Sequence, residues 1–383
     1  MKKIGINWPL SSLLGWGIFS THIVLQLIRQ KKFKPILLKP TQHLYCNKLI
    51  EKTLLSYALE TKEYHGVKEV DFPLLHPLGN AIAKELDVVG SSNIGLIFIE
   101  NTELSENYIN NLNSLYDVIV AGSSWNYHLL YEKGIKNVLY VSQGIDKSTF
   151  HPSPKSGLYD DRFVIFSGGK LEYRKGQDLV VAAYKKFYAS HPEALLIFSW
   201  DNLWPASMKE ITSSGHVSTP PNLNKKGKPD FDAWLVKQGL PKDSFINLGM
   251  VPNYMMPSII READIGLFPN RAEGGTNLVA METIASGIPS ILSNNTGHRD
   301  IINYDDCFIL EEQSAVKPTQ NFPGTEGWGE SSVQEILENL ESAYQQKKNL
   351  AEKGRQASRR MHQTFSWEKQ ISDLLNQLEP YLG

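Results

Sequence analysis

Cysteine is almost missing. Two residues in 383, Cys46 and Cys307, stand far apart and outside any metal or redox spacing. The chain is therefore not built on disulfides, and a reducing, cytoplasmic setting is the expected one. An excess of one charge is missing as well. Lys and Arg number 39 against 41 Asp and Glu, a net charge of −2, so no overall basic field invites nucleic acid. No stretch approaches the roughly 20 apolar residues that a membrane span requires. Repeats of solenoid length, low-complexity tracts and His/Cys clusters at ligand spacing are lacking too. So are a Gly-Lys-Ser/Thr phosphate loop and a G-x-G-x-x-G fingerprint. The opening "MKKIGINWPLSSLLGWGIFS" has no unbroken apolar core. It reads as a first strand and a glycine loop rather than a signal peptide.

What is present describes a globular protein: 41% hydrophobic, 10% aromatic and 21% charged residues. The length exceeds one core, since domains hold roughly 100–200 residues, and predicts two. Short apolar runs without strict alternation ("KIGIN", "PILLKP", "IGLIFIE", "VIVAGSS", then "FVIFSGG", "ALLIFSW", "FINLGMV", "IGLFPN", "IPSILS") alternate with stretches at helical spacing. That pattern predicts parallel sheets covered on both faces, an α/β class. A Pro/Ser/Gly/Asp stretch at 150–162 is the best boundary, placing one doubly wound domain at 1–152 and another from 153. Such sheets take ligands at the carboxyl ends of their strands. Residues 201–243 read as an insertion and 313–330 as a loop before a helix capped by Ser331 or Ser332.

Glu282 is the odd residue. If Thr276 or Asn277 caps a helix, Leu278, Met281, Glu282 and Ala285 form one inward stripe. A buried carboxylate needs donors, from the protein or from ligand hydroxyls. "SGGKLEYRKGQDL" follows the strand "FVIF", where glycines let amides approach a phosphate and Lys170 and Lys175 add charge. Gly15 and Gly17 bracket Trp16 in the loop after the first strand, either for close approach to a ligand or as a plain turn.

Together these stretches resemble the retaining glycosyltransferases of family 4. Pro269-Asn270-Arg271-Ala272-Glu273-Gly274 matches the family's Pro-Ser-x-x-Glu-Gly, and Glu282 matches its second glutamate, with one more intervening residue than usual. Gly169-Lys170-Leu171 and Lys175-Gly176 match its Gly-Arg-Leu and Lys-Gly at the same distance, with Lys170 in place of the commoner arginine. The resemblance implies a GT-B fold, two Rossmann-like domains facing across a cleft. It implies a second domain over 153–365 and a closing helix at about 366–383 that packs back on the first. It assigns the catalytic wall to Glu273, Lys170 and Lys175, with Glu273 facing the donor sugar and the lysines neutralising the diphosphate. Glu282 would accept from the ribose. Gly169, Gly274, Gly275, Thr276, Asn277, Leu278, Gly15, Gly17 and Val251 would complete the donor site. The donor would be a nucleoside-diphosphate sugar, with no metal or other cofactor. The acceptor would be a sugar, a lipid-linked group or a protein.

On the acceptor side, Glu100, Asn101 and Glu103 in "FIENTELSE" are candidates, although helix capping or solvation also accounts for them. Asp230-Phe231-Asp232 has the form of an Asp-x-Asp metal motif, but it opens a helix, where aspartates cap. The basic run at 29–35 would allow peripheral contact with an anionic membrane face, or is a solvated helix end. His298 sits on a loop near the cleft. A GT-B epimerase or phosphorylase and a non-catalytic nucleotide-sugar-binding module remain as alternatives.

Overall fold

The computed structural model describes residues 1–64 and 66–383. Twelve strands form two parallel sheets. The first sheet comprises β1 (Lys2–Ile6), β2 (Phe33–Leu37), β3 (Leu74–Leu78), β4 (Asn93–Ile97), β5 (Val118–Ala121) and β6 (Val138–Tyr140), in the order β2-β1-β3-β4-β5-β6. The second comprises β7 (Phe163–Gly168), β8 (Ala194–Ser199), β9 (Phe245–Asn247), β10 (Ile265–Phe268), β11 (Ser290–Ser293) and β12 (Phe308–Leu310), in the order β12-β11-β10-β7-β8-β9. β4 and β7 are buried at every position, the reason their sequences do not alternate.

In each sheet the chain starts in the middle, winds out to one edge and returns on the other side of its first strand. Gly5 pairs with Leu74, and Ile165 with Ile265, so the reversals fall between β1 and β3 and between β7 and β10. Loops leaving these strand ends diverge and open crevices. The two crevices face one another. Just before the linker, Ile145 N–H donates to the Phe365 carbonyl and its own carbonyl accepts from Trp367 N–H, so the chain crosses back beside its own hinge. The helix Trp367–Gln377 then buries Ile371, Leu374 and Leu375, while Trp367 stacks on Phe19 of the first helix at 5.4 Å.

Four details differ from the sequence reading. The first helix runs Gly15–Gln30, so Gly15 and Gly17 lie in its first turn and not in the preceding loop. A side chain at Gly17 would meet Ser11 Cβ at 2.3 Å, so the missing Cβ admits the incoming chain there. β3 was hidden in "LLHPL", where His76 and Pro77 break the apolar run. The expected strand over 245–251 stops at Asn247, and Gly249 turns with φ 63°. The stretch "YMMPSIIREA" (254–263), whose spacing predicts one helix, is split into a single turn, Asn253–Met255, and a helix, Met256–Ile260, with Pro257 in its first turn. Residues 201–243 pack on the second sheet through Phe231, Trp234 and Leu235. Asp230 accepts from Ala233 N–H as a helix cap and Asp232 accepts from Asn247. No group of three or more metal-ligating side chains occurs among the described residues.

Candidate active site

A cleft of about 600 Å³ lies between the sheets, lined by the loops after β1, β3, β4, β6, β7, β8, β9 and β10. Its lining brings together Gly15, Gly169, Lys170, Lys175, Val251, Glu273, Gly275, Asn277, Leu278, Glu282 and Glu100.

The lysine loop is shaped by Gly176. Its φ is 69°, and a Cβ there would sit 2.2 Å from the Pro269 carbonyl oxygen, so glycine alone lets this loop lie against the end of β10. That contact places Lys175 Nζ 2.5 Å from Glu273 Oε1. Arg174 Nη1 reaches the other oxygen at 3.2 Å, and Asn270 Nδ2 also donates to Glu273. Burial favours a neutral Glu273, but the charges of Lys175 and Arg174 outweigh it and hold the carboxyl down at about 2. Burial lowers the Lys175 ammonium, with Glu273 opposing and Arg174 adding to the effect. Lys170 lies more openly, 3.2 Å from Glu172 and 5.3 Å from the ring of Trp204. Lys170, Arg174 and Lys175 thus face Glu100, Glu172 and Glu273, and the six charges cancel.

Two helix starts look into the same space. The helix Gly15–Gln30 has no side-chain cap. The helix Leu278–Ala285 is entered through Asn277 at φ 61°, whose Oδ1 accepts from Ala280 N–H. His298 holds that asparagine: its Nε2 lies 2.9 Å from Asn277 Nδ2 and its Nδ1 3.0 Å from Ser293 Oγ. Burial lowers His298 to about 4, so the ring is neutral and structural. Unpaired amides at a helix start present partial positive charge, and two such starts suit a multiply charged anion.

Glu282 faces inward, 4% exposed, and its single side-chain donor among the described residues is Asn253 Nδ2 at 2.7 Å. Burial, opposed by that hydrogen bond and assisted by the charge of Asp146, pushes it up to about 8.

Several candidates lie off the cleft wall. Gly17 packs on Ser11. Gly274 has Ile99 backbone where its Cβ would be, and its carbonyl accepts from Ser123 Oγ. Thr276 is buried with its hydroxyl against Met281 Sδ. Asn101 Oδ1 accepts from Gly324 N–H and its Nδ2 donates to the Glu103 carbonyl, while the Glu103 side chain is exposed. Segment 101–103 thus forms a strap with 324–326 that ties the two halves together.

Two residues escaped the sequence reading. Arg174, beside Lys175, was not singled out and is 7% exposed. Arg271 is fully buried, bidentate to Asp178 at 2.8 and 2.7 Å, and holds Glu330 at 2.8 Å. An arginine inside an otherwise apolar-to-small stretch, two residues before Glu273, was the available signal.

With this geometry in view, comparison with known proteins is informative. Residues 149–318 match the family model Glycosyl transferases group 1. The group 1 segment contains Glu273 and Glu282 and the cations Lys170, Arg174 and Lys175. No curated protein matches the chain. Among solved structures, the chain is similar to HepE from Anabaena in complex with UDP and glucose, with a TM-score of 0.66, 12% identity and coverage of 99% of this chain and 100% of that one. It is similar to sucrose-phosphate synthase from Thermosynechococcus elongatus at 0.65, 13% identity and 100% and 99% coverage. A glycosyltransferase from Rickettsia africae gives 0.64, 13% identity and 100% and 98% coverage. The fold is GT-B, two Rossmann-like domains facing across a cleft. The group 1 match supports glycosyltransferase activity, and these neighbours, at 12–13% identity, support the fold.

Proposed function

We propose that the protein is a retaining, metal-independent glycosyltransferase that moves a sugar from a nucleoside-diphosphate donor to a hydroxyl acceptor. The observation carrying this reading is the Lys175–Glu273 contact at 2.5 Å, set in a cleft onto which two helix starts open. The diphosphate lies between those helix starts, and Lys170 turns from Glu172 toward it. Lys175, with Lys170, adds the fixed charge that a divalent cation supplies elsewhere, stabilising the departing oxygen as the glycosidic bond breaks. Glu273, held ionised, orients the donor-sugar hydroxyls and faces the positive charge growing at the anomeric carbon. Glu282 and Asn253 bind the ribose, with Val251 near the base. The acceptor hydroxyl enters from the first domain and attacks from the leaving-group side, and a diphosphate oxygen takes its proton. Glu273 is tied to Lys175 and Arg174, which disfavours it as a covalent nucleophile. Of the acceptor candidates, Glu100 alone lines the cleft. A cytoplasmic location with peripheral membrane contact through 29–35 belongs to the same reading.

A panel of nucleoside diphosphates and their sugars, screened by melting temperature and then by donor turnover, tests it. At 100 times its dissociation constant the correct donor adds roughly 2.7 kcal/mol of stability. Turnover should persist in EDTA, the product should keep the donor's anomeric configuration by proton NMR, and Lys175→Ala should cost about 100-fold or more in kcat. Inversion at the anomeric carbon, or loss of activity on chelation, refutes the corresponding half of the proposal.

A further inference from the structure

Arg174 is the point on which both halves of the molecule converge. Its Nε lies 2.7 Å from Glu172, and its Nη1 lies 3.2 Å from Glu273 and 3.3 Å from Glu100. Glu172 and Glu273 belong to the second domain, and Glu100 follows β4 of the first. The second oxygen of Glu100 accepts from Asn80 Nδ2 at 2.9 Å, so both of its oxygens are engaged. Its backbone is pinned across the interface too: Trp328 Nε1 donates to the Glu100 carbonyl at 2.9 Å. Glu100 and Glu273 share one nitrogen, so these carboxylates of opposite domains are no further apart than their two contact distances combined. Two anions that close, in a wall largely shielded from water, repel strongly unless a cation stands between them. Lys175 does not serve here, being committed to the other oxygen of Glu273.

We propose that Arg174 is an interdomain positioning residue: it holds Glu100 of the first domain against Glu273 of the second, so that Glu273 takes its working position only when the cleft is closed. The functional part of this rests on the reading of Glu273 as the donor-sugar residue. The clamp itself rests on geometry alone. A specific consequence separates it from a merely structural arginine. Removing Arg174 converts attraction across the interface into repulsion, whereas removing the Glu100 charge as well abolishes that repulsion. The second substitution therefore rescues the first.

The experiment compares the full-length wild type, Arg174→Gln, Glu100→Gln and the double variant. Each is melted without ligand and assayed with the donor found by the panel. Arg174→Gln should lower kcat by about 100-fold with donor KM changed by no more than about threefold, and the double variant should recover about tenfold. It should also melt above Arg174→Gln. Losses that multiply in kcat and add in melting temperature overturn the clamp. If the wild type turns over no nucleotide sugar, the proposed function fails while the melting series still decides the clamp. If turnover is normal and both series are additive, the clamp fails and the function stands.

Discussion

Glu282 carries the clearest consequence at the scale of one residue. Its carboxyl is raised to about 8, against an ordinary value of about 4.3 in the unfolded chain. Between those values the folded protein keeps a proton that the unfolded chain has lost, so stability falls as pH rises from about 4.5 to 8. Glu282→Gln removes that slope. The variant should melt close to wild type at pH 5 and several degrees above it at pH 8, on the order of 2 °C or more per kcal/mol. The same substitution should weaken nucleotide binding by roughly 0.5–1.5 kcal/mol, because the amide leaves the ribose one acceptor oxygen fewer than the carboxyl. Parallel melting profiles for the two proteins would remove the buried-acid interpretation, and unchanged nucleotide affinity would remove the ribose role.

At the scale of elements, the site is built by two loops that fit only in one way. Gly176→Ala puts a methyl into the Pro269 carbonyl at a positive φ and should cost more than 1 kcal/mol, with nucleotide affinity falling because Lys175 is displaced. Wild-type affinity in a folded Gly176→Ala protein would show that Lys175 does not depend on this contact. Behind the loop, Asp178→Ala strands the buried Arg271 guanidinium and should destabilise by about 3–5 kcal/mol in chemical denaturation. A loss below 1 kcal/mol would mean that Glu330 and the Tyr173 carbonyl suffice. These elements were unequally legible. β7, β10 and the helix Leu278–Ala285 announce themselves through unbroken apolar runs and a capping Asn277. The Glu-to-Glu spacing and the Lys170/Lys175 pair were likewise readable. β3 was not, because polar and proline positions interrupt it where paired neighbours supply the hydrogen bonds. Nor was the helical state of Gly15 and Gly17, which depends on Ser11 folding back against Gly17.

At the scale of the whole molecule, what the sequence concealed is what the two domains do to each other. Arg174 has no visible role until Glu100 arrives from a different sheet, and Asn101 and Glu103 read as cleft candidates until 324–326 takes up their segment as a strap. Both depend on contacts between segments distant in the chain, which local pattern does not encode. The two-domain division and the facing crevices, by contrast, follow from strand order and the proline-rich linker. No helix among the described residues is long and apolar enough to cross a membrane. The central claim is that the cleft is a nucleoside-diphosphate site whose anion sits between Lys175 and the start of the Leu278–Ala285 helix. It is tested most directly by a crystal structure of the complex with the nucleoside diphosphate that gives the largest melting shift. The account predicts phosphate oxygens within hydrogen-bonding distance of Lys175 Nζ and the 275–278 amides, with the ribose hydroxyls on Glu282. A nucleotide bound elsewhere, with Lys175 still closed on Glu273 and Glu282 untouched, would contradict it.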